Sequence, residues 1–208
     1  MEVFVASLVT SHWSGKHQRP EALLTLLWTD GKALIPCDFR VYDKPTSGKT
    51  KNEHFRAMLG EAQQRGFEPE YVLRDSWYSG LENLKLIASF GWLFLTRLKS
   101  NRKVNPDGQG NVAISSVDIP KEGRVVHLRG FGFVKVFRTV SRDGDAEYWA
   151  TNDLMMTEEK RAKLEKQGWG IEVYHRPKTL SCSVHFARRC LEGEEHRKAR
   201  RWVVPLRL

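Results

Sequence analysis

Apolar residues in the first third of the chain fall in short runs that are separated by polar segments, a pattern typical of β-strands. Residues 3–9 are β-prone, and a strongly apolar run follows at residues 22–28. An Asp-Gly hairpin signal comes next. Residues 33–43 are the return strand, in which Pro36 indicates a sheet edge or a bulge. This pattern predicts a β-meander.

From Thr50 the apolar period lengthens to that of a helix. Thr50 and Glu53 have the spacing of a capping box, and Gly66 is placed to end the helix. The pattern then predicts a strand, an amphipathic helix and a buried strand, at residues 71–75, 81–91 and 92–99.

After Lys99 the pattern changes again. Short alternating segments across residues 111–151 predict a small antiparallel sheet. A helical pattern begins near Thr157 and continues to Pro177, weakened by glycines in its middle. We therefore predict a mixed α/β layered architecture that carries a β-rich insertion.

Composition limits the class of protein. The chain has 208 residues, 40% of them hydrophobic and 28% charged, which excludes a disordered chain. The longest apolar stretch, residues 87–95, is too short for a membrane span, and Glu2 stands where a signal peptide carries basic residues. The three cysteines form no disulfide framework. We expect a cytoplasmic protein with reduced thiols and no membrane partner.

The net charge of +9 first favours a nucleic-acid partner. Residues 176–208, however, hold nine basic and three acidic side chains, which is two-thirds of the excess. The charge is therefore a weak argument for DNA binding.

Two acidic residues are the candidate catalytic groups. Asp75 comes at the end of a short apolar strand, where α/β sheets gather their ligands, although an Asp there also caps turns. Glu172 lies among apolar residues with Arg176 four positions later, which also fits an intrahelical ion pair. If the two acids converge, they form a site for a hard cation such as Mg²⁺.

Two basic segments, residues 96–105 and 174–178, interleave cations with aromatic or amide side chains. This composition suits contacts to a phosphate backbone, and it equally suits a solvated basic face.

Long motifs identify a family resemblance. The segments HWSGKHQR, LLTLLWTDGKALIPCDFRVYDK, YVLRDSWYSGLENLKLIASFGWLFLTRLKSNRKVNPDG and GWGIEVYHR resemble the catalytic region of bacterial insertion-sequence DDE transposases. The likeness covers residues 8–176 and is to the group with a β-rich insertion between the second and third acids. It implies an RNase H-like mixed sheet with helices, interrupted by a small antiparallel insertion.

The resemblance also implies divalent-metal-dependent cleavage and transfer of DNA strands. Asp75 matches the second metal-binding acid and Glu172 the third, with Mg²⁺ or Mn²⁺ as the cofactor. The implied partners are transposon ends and target DNA, with a homodimer in the DNA complex and association with the nucleoid. The expected DNA-binding residues are Lys99, Asn101, Arg102, Tyr174, His175, Arg176 and Lys178.

Two departures from the family pattern stand out. The family's first Asp, on the opening strand, has no counterpart here, since neither Asp30 nor Asp38 occupies its position. After residue 176 the chain continues with Pro177 instead of Gly-Leu-Lys-Gln. We interpret this as a copy truncated at its N-terminus and divergent at its C-terminus, through a frameshift or degradation. Reading the other frames of the source DNA tests this hypothesis.

The expected organisation has four parts. Residues 1–99 form a partial catalytic core that lacks the opening strand, and residues 100–151 form the β-rich insertion. Residues 152–178 complete the core, and residues 179–208 form a basic tail. Two alternatives to an active transposase stay open: a catalytically dead DNA-binding remnant, and a fragment that fails to fold because the missing strand leaves an open edge.

Overall fold

A computed structural model describes residues 2–10, 22–42, 48–74, 76–141 and 143–169 of the chain. The strands in these ranges are β1 Val3–Thr10, β2 Ala22–Thr29, β3 Leu34–Tyr42, β4 Tyr71–Arg74, β5 Leu93–Leu98, β6 Lys103–Asn105, β7 Val112–Ala113, β8 Arg124–Leu128, β9 Gly132–Val140 and β10 Ala146–Thr151. The helices are α1 Lys51–Gln64, α2 Leu81–Ser89 and α3 Glu158–Gly168.

All ten strands belong to one mixed sheet in the order β3-β2-β1-β4-β5-β10-β9-β8-β6-β7. Strand β1 runs parallel to β4, and β4 runs parallel to β5, while β1, β2 and β3 pair antiparallel. The order β3-β2-β1-β4-β5 with these directions is the RNase H-like arrangement. The predicted fold class is confirmed.

Strand β1 fills the centre of the sheet. It pairs with β2 on one side and with β4 on the other, in the register Val3 to Tyr71 and Ala6 to Arg74. The open edge that we expected beside β4 is therefore absent from the described sheet. The prediction of a core without its opening strand needs this correction, because Val3–Thr10 occupies that place. The other domain boundaries stay predictions.

Local signals in the first half are confirmed. The Thr50 side chain accepts a hydrogen bond from the Glu53 backbone, and the Glu53 carboxylate accepts one from the Thr50 backbone, which completes the capping box. The register of β2 and β3 shifts between Leu26 and Leu27, opposite Pro36, and β3 is an edge strand.

The β-insertion does not form a separate small sheet. Strand β10 pairs antiparallel with β5, from Leu98 opposite Tyr148 to Leu95 opposite Thr151, so the insertion extends the core sheet. At the start of the alternating segments that we predicted across residues 111–151, the structure has the two-residue β7 followed by a 3-10 turn, Ile114–Ser116. This turn forms because Ile114 is buried against the inner face of the insertion.

Two apolar layers cover the core part of the sheet. Helices α1 and α2 bury Phe55, Leu59 and Leu84 against one face. Helix α3 buries Leu164 against the other face, with Val5 and others. Among the helices of the described residues, none has the length and apolarity that a membrane span requires.

Candidate active site

Strands β1, β4 and β5 run parallel, so their carboxyl ends meet at one edge of the sheet. Asp75 directly follows β4 in the sequence but lies outside the described residues. Lys99, Asn101 and Arg102 come just after β5 and lie at this same edge, with Lys99 and Asn101 exposed. The structure does not describe the other predicted site residues, which are Glu172, Tyr174, His175, Arg176 and Lys178.

The chain on both sides of Asp75 is held firmly. Arg74 is 4% exposed, and its guanidinium lies 5.7 Å from the ring centroid of Phe55 and 5.6 Å from that of Phe94. It donates a hydrogen bond to the Tyr78 carbonyl oxygen, which also accepts one from Asn83 at 3.0 Å. The end of β4 and the 3-10 turn Ser76–Tyr78 are thus fixed to each other and to α2.

Helix α3 crosses β4 and is anchored near the start of that strand. The Tyr71 hydroxyl donates a hydrogen bond to Asp153, and Lys160 donates one to Glu70 at 3.0 Å. The Lys160 ammonium also lies 4.8 Å from the Tyr71 ring centroid. Burial, and then the bond to Asp153, raises the pKa of Tyr71 to about 12, so this hydroxyl remains a donor at neutral pH.

We predict that Asp153→Ala destabilises the protein by about 1–3 kcal/mol, because it leaves the buried Tyr71 hydroxyl without its acceptor. Urea unfolding followed by circular dichroism measures the change. The control is Asp118→Ala, at an exposed carboxylate in the insertion, for which we expect a change within about 0.5 kcal/mol. Equal effects of the two substitutions would contradict the anchoring role.

The other end of α3 lies beside the end of β4. A Cβ atom added at Gly168 would stand 3.7 Å from Cδ1 of Leu73, which is in ordinary van der Waals contact. Leu73 precedes Asp75 by two residues, and Gly168 precedes Glu172 by four. The C-terminal end of α3 therefore lies beside the carboxyl end of β4.

A cleft of about 740 Å³ opens between α3 and the sheet, with Leu73 and Arg74 in its wall. Trp149 also lines this cleft, and two guanidinium groups lie near its ring centroid, that of Arg97 at 4.9 Å and that of Arg161 at 5.8 Å. Within the described part of the chain, the buried Trp149 Nε1 has no hydrogen-bond partner.

The two arginines beside Trp149 already have acidic partners. Arg97 pairs with Glu147 at 3.1 Å, and Arg161 pairs with Glu158 at 2.8 Å and Glu165 at 2.7 Å. These carboxylates neutralise the guanidinium charges within the sheet and within α3. The position of Arg161 near the Trp149 ring is the contact of this group that joins α3 to the sheet.

None of the described acids near the N-terminus joins the end of β4. The Glu2 carbonyl oxygen accepts a hydrogen bond from the Glu70 backbone at 2.9 Å, so Glu2 lies at the start of β4, about 13 Å from its end. The Asp30 carboxylate caps the β2–β3 turn, where backbone hydrogen bonds lower its pKa. Asp38 pairs with Arg40 on β3, three strands from β4. No residue of β1 is acidic, and the described residues contain no cluster of three metal-ligating side chains.

Sequence reasoning missed a group of side chains at the carboxyl edge, in which Trp77 is exposed while Lys51 and Tyr42 are half-buried. Trp77 lies in the turn after Asp75 and is 66% exposed. The Lys51 ammonium lies 5.1 Å from the Trp77 ring centroid and 5.2 Å from that of Tyr42, the last residue of β3. The available signal was the SWY tripeptide directly after the candidate acid.

Comparison with known proteins places the chain in a family. The profile of the family described as "Transposase DDE domain" matches residues 11–204, which extends past residue 176, where we expected the resemblance to end. No curated protein matches the chain. Among solved structures, the catalytic domain of human endonuclease V is similar, with 14% identity and a TM-score of 0.41, over 92% of this chain and 84% of that one. Because the family profile matches most of the chain, we conclude that the protein belongs to the transposase DDE domain family.

Proposed function

We propose that this chain binds transposon ends and cleaves their phosphodiester bonds with a divalent ion held by Asp75 and Glu172. The packing of Gly168 beside Leu73 is the observation that carries the proposal. Two residues of strand from Leu73 to Asp75 span about 7 Å. Four residues from Gly168 to Glu172 span about 6 Å as helix and about 14 Å when extended. Both acids are thus within reach of one point at the carboxyl edge.

The donor chemistry of the two acids fits Mg²⁺ or Mn²⁺. Mg²⁺ is typically held by one or two carboxylates together with substrate phosphates, and Asp75 and Glu172 would supply those carboxylates. When bound, such an ion provides Lewis acidity that activates water, or a DNA 3′-hydroxyl, for attack on the phosphodiester.

Basic residues at the carboxyl edge support DNA as the substrate. Lys99 and Asn101 are exposed there, and Arg102 follows them before β6. Together with the undescribed set Tyr174, His175, Arg176 and Lys178, they form the proposed DNA contacts. A homodimer that holds two ends, and association with the nucleoid, are part of the same proposal.

A second candidate function is DNA binding without cleavage. It is favoured by the positions of Glu2, Asp30 and Asp38, none of which supplies the family's first carboxylate at the end of β4. A site with two carboxylates instead of three holds and orients its ion less well, while the contacts to the DNA backbone are unaffected.

One experiment separates the two functions. The purified chain is incubated with a duplex of its own transposon end, with Mg²⁺, Mn²⁺ or EDTA, and nicked product and bound complex are measured in parallel. Metal-dependent nicking supports cleavage, and salt-sensitive binding without nicking supports the binding remnant. If the chain neither binds nor cuts the duplex, both are rejected.

A further inference from the structure

We propose that Trp77 and Lys51 form a binding site for an unpaired nucleotide of a DNA strand, with Trp77 stacking on the base and Lys51 contacting a phosphate. This inference takes DNA as the ligand and in that respect rests on the proposed function. It does not depend on metal binding or on cleavage.

The position of Trp77 is fixed by its neighbours in the turn. Tyr78 is 1% exposed, and its ring centroid lies 4.7 Å from that of Phe55 on α1. The Ser79 hydroxyl donates a hydrogen bond to the Ser76 carbonyl oxygen at 2.8 Å, which closes the turn. Because Tyr78 is buried and the turn is closed by hydrogen bonds, Trp77 presents 66% of its surface to solvent from a turn that is tied to its neighbours. Little conformational entropy is then lost when a ligand stacks on it.

Lys51 adds a positive charge at the side of this platform. Its ammonium is within 5.2 Å of the ring centroids of both Trp77 and Tyr42, which holds the long side chain between two aromatic rings. His54 packs edge-on against Tyr42, and its pKa is lowered by burial and by the charges of Arg40 and Lys49, while the charge of Glu53 raises it. An exposed ring next to a restrained cation is the combination that binds single-stranded nucleic acid.

The ligand is an unpaired base because the faces of paired bases are already stacked within the duplex. Trp77 follows the candidate acid Asp75 by two residues. A strand whose base stacks on Trp77 would therefore lie with its backbone close to the carboxyl edge. The site thus fits a frayed or single-stranded stretch next to the bond at which cleavage is proposed.

The test is fluorescence anisotropy with a labelled single-stranded oligonucleotide and a blunt duplex, both in EDTA so that no cleavage occurs. We expect Trp77→Ala to weaken binding of the single strand about 10-fold and binding of the duplex less than about two-fold. Trp77→Phe should retain most of the affinity, since it keeps a stacking surface. Lys51→Ala should reduce the slope of log affinity against log salt concentration by about one, because one phosphate contact is lost.

Phe133→Ala is the matched control, because Phe133 is an aromatic residue of the insertion that is 64% exposed. We expect no effect on binding from this change, and an unchanged melting temperature for each variant. If Trp77→Ala binds the single strand like the original chain, or if Phe133→Ala causes the same loss, the proposal is wrong. Absence of any single-strand binding by the original chain also overturns it. If the cleavage proposal fails, the expected difference in single-strand binding between Trp77→Ala and the original chain is unchanged, because binding is measured in EDTA.

Discussion

Replacing Asp75 with alanine is expected to reduce metal-dependent cleavage of a transposon-end duplex by at least about 100-fold. The physical reason is that Asp75 is one of only two carboxylates that the proposed site contains. Its loss leaves Glu172 as the single protein ligand, so the ion is bound weakly and is poorly oriented against the phosphodiester. Glu172→Ala should have the same effect for the same reason.

A measurement of metal binding tests the role of Asp75 and Glu172 without relying on the cleavage rate. Calorimetric titration with Mn²⁺ in the absence of DNA should show weaker binding in both variants than in the original chain. DNA affinity in EDTA should stay within about two-fold, since no metal participates in that complex. Asp118→Ala, at an exposed acid of the insertion, is the matched control and should change neither quantity. Unaltered Mn²⁺ affinity in Asp75→Ala and Glu172→Ala would show that these residues are not the metal ligands.

The elements that the sequence predicts well are those fixed by interactions between near neighbours. The capping box of Thr50 and Glu53 spans three residues, and it sets the start of α1. Pro36 lacks the amide hydrogen that an inner strand needs, so its presence indicated an edge strand with a bulge, as observed. In each case the determining contact lies within a few positions of the residue that signals it.

The arrangement of the strands depends on contacts between distant residues and was harder to predict. The β-rich character of residues 111–151 was evident, but nothing in their local pattern shows that Tyr148 pairs with Leu98. Likewise, residues 3–9 were predicted as a strand, whereas their place at the centre of the sheet follows from pairing with Tyr71–Arg74. A two-residue period reports which residues alternate, and it does not report the neighbouring strand.

Prediction of the candidate site was similarly divided. Asp75 is a candidate because it follows an apolar strand and lies in a long family motif, and its role stays a prediction. Trp77 was missed because two aromatic residues stand side by side in the sequence, and the local pattern does not show which one is exposed. Trp77 is 66% exposed, whereas Tyr78 is 1% exposed. The packing of Tyr78 against Phe55, which joins the turn to α1, is a contact between distant residues that the local sequence does not show.

The central position of β1 leads to the second prediction of large effect, a gain of activity in Ser7→Asp. The register of β1 with β4 pairs Ala6 with Arg74, and positions 7 and 75 are each the next residue in the sequence after that pair. Alternate residues of a strand share a face, so an aspartate at position 7 would follow the face of Val3 and Val5, the face that α3 covers. That face also contains Leu73, the contact of Gly168.

We expect Ser7→Asp to bind Mn²⁺ more tightly than the original chain and to raise metal-dependent cleavage by about 100-fold. The reason is that a third carboxylate restrains an ion that the carboxylates of Asp75 and Glu172 alone hold loosely. Calorimetry and the nicking assay measure the two effects, and thermal unfolding confirms that the variant is folded. Ser7→Asn, which has nearly the same shape and no charge, should gain neither. The double variant Ser7→Asp with Asp75→Ala should lose the gain, since the new carboxylate acts only together with Asp75. If folded Ser7→Asp shows the metal affinity and the cleavage rate of the original chain, position 7 is not the place of the first acid.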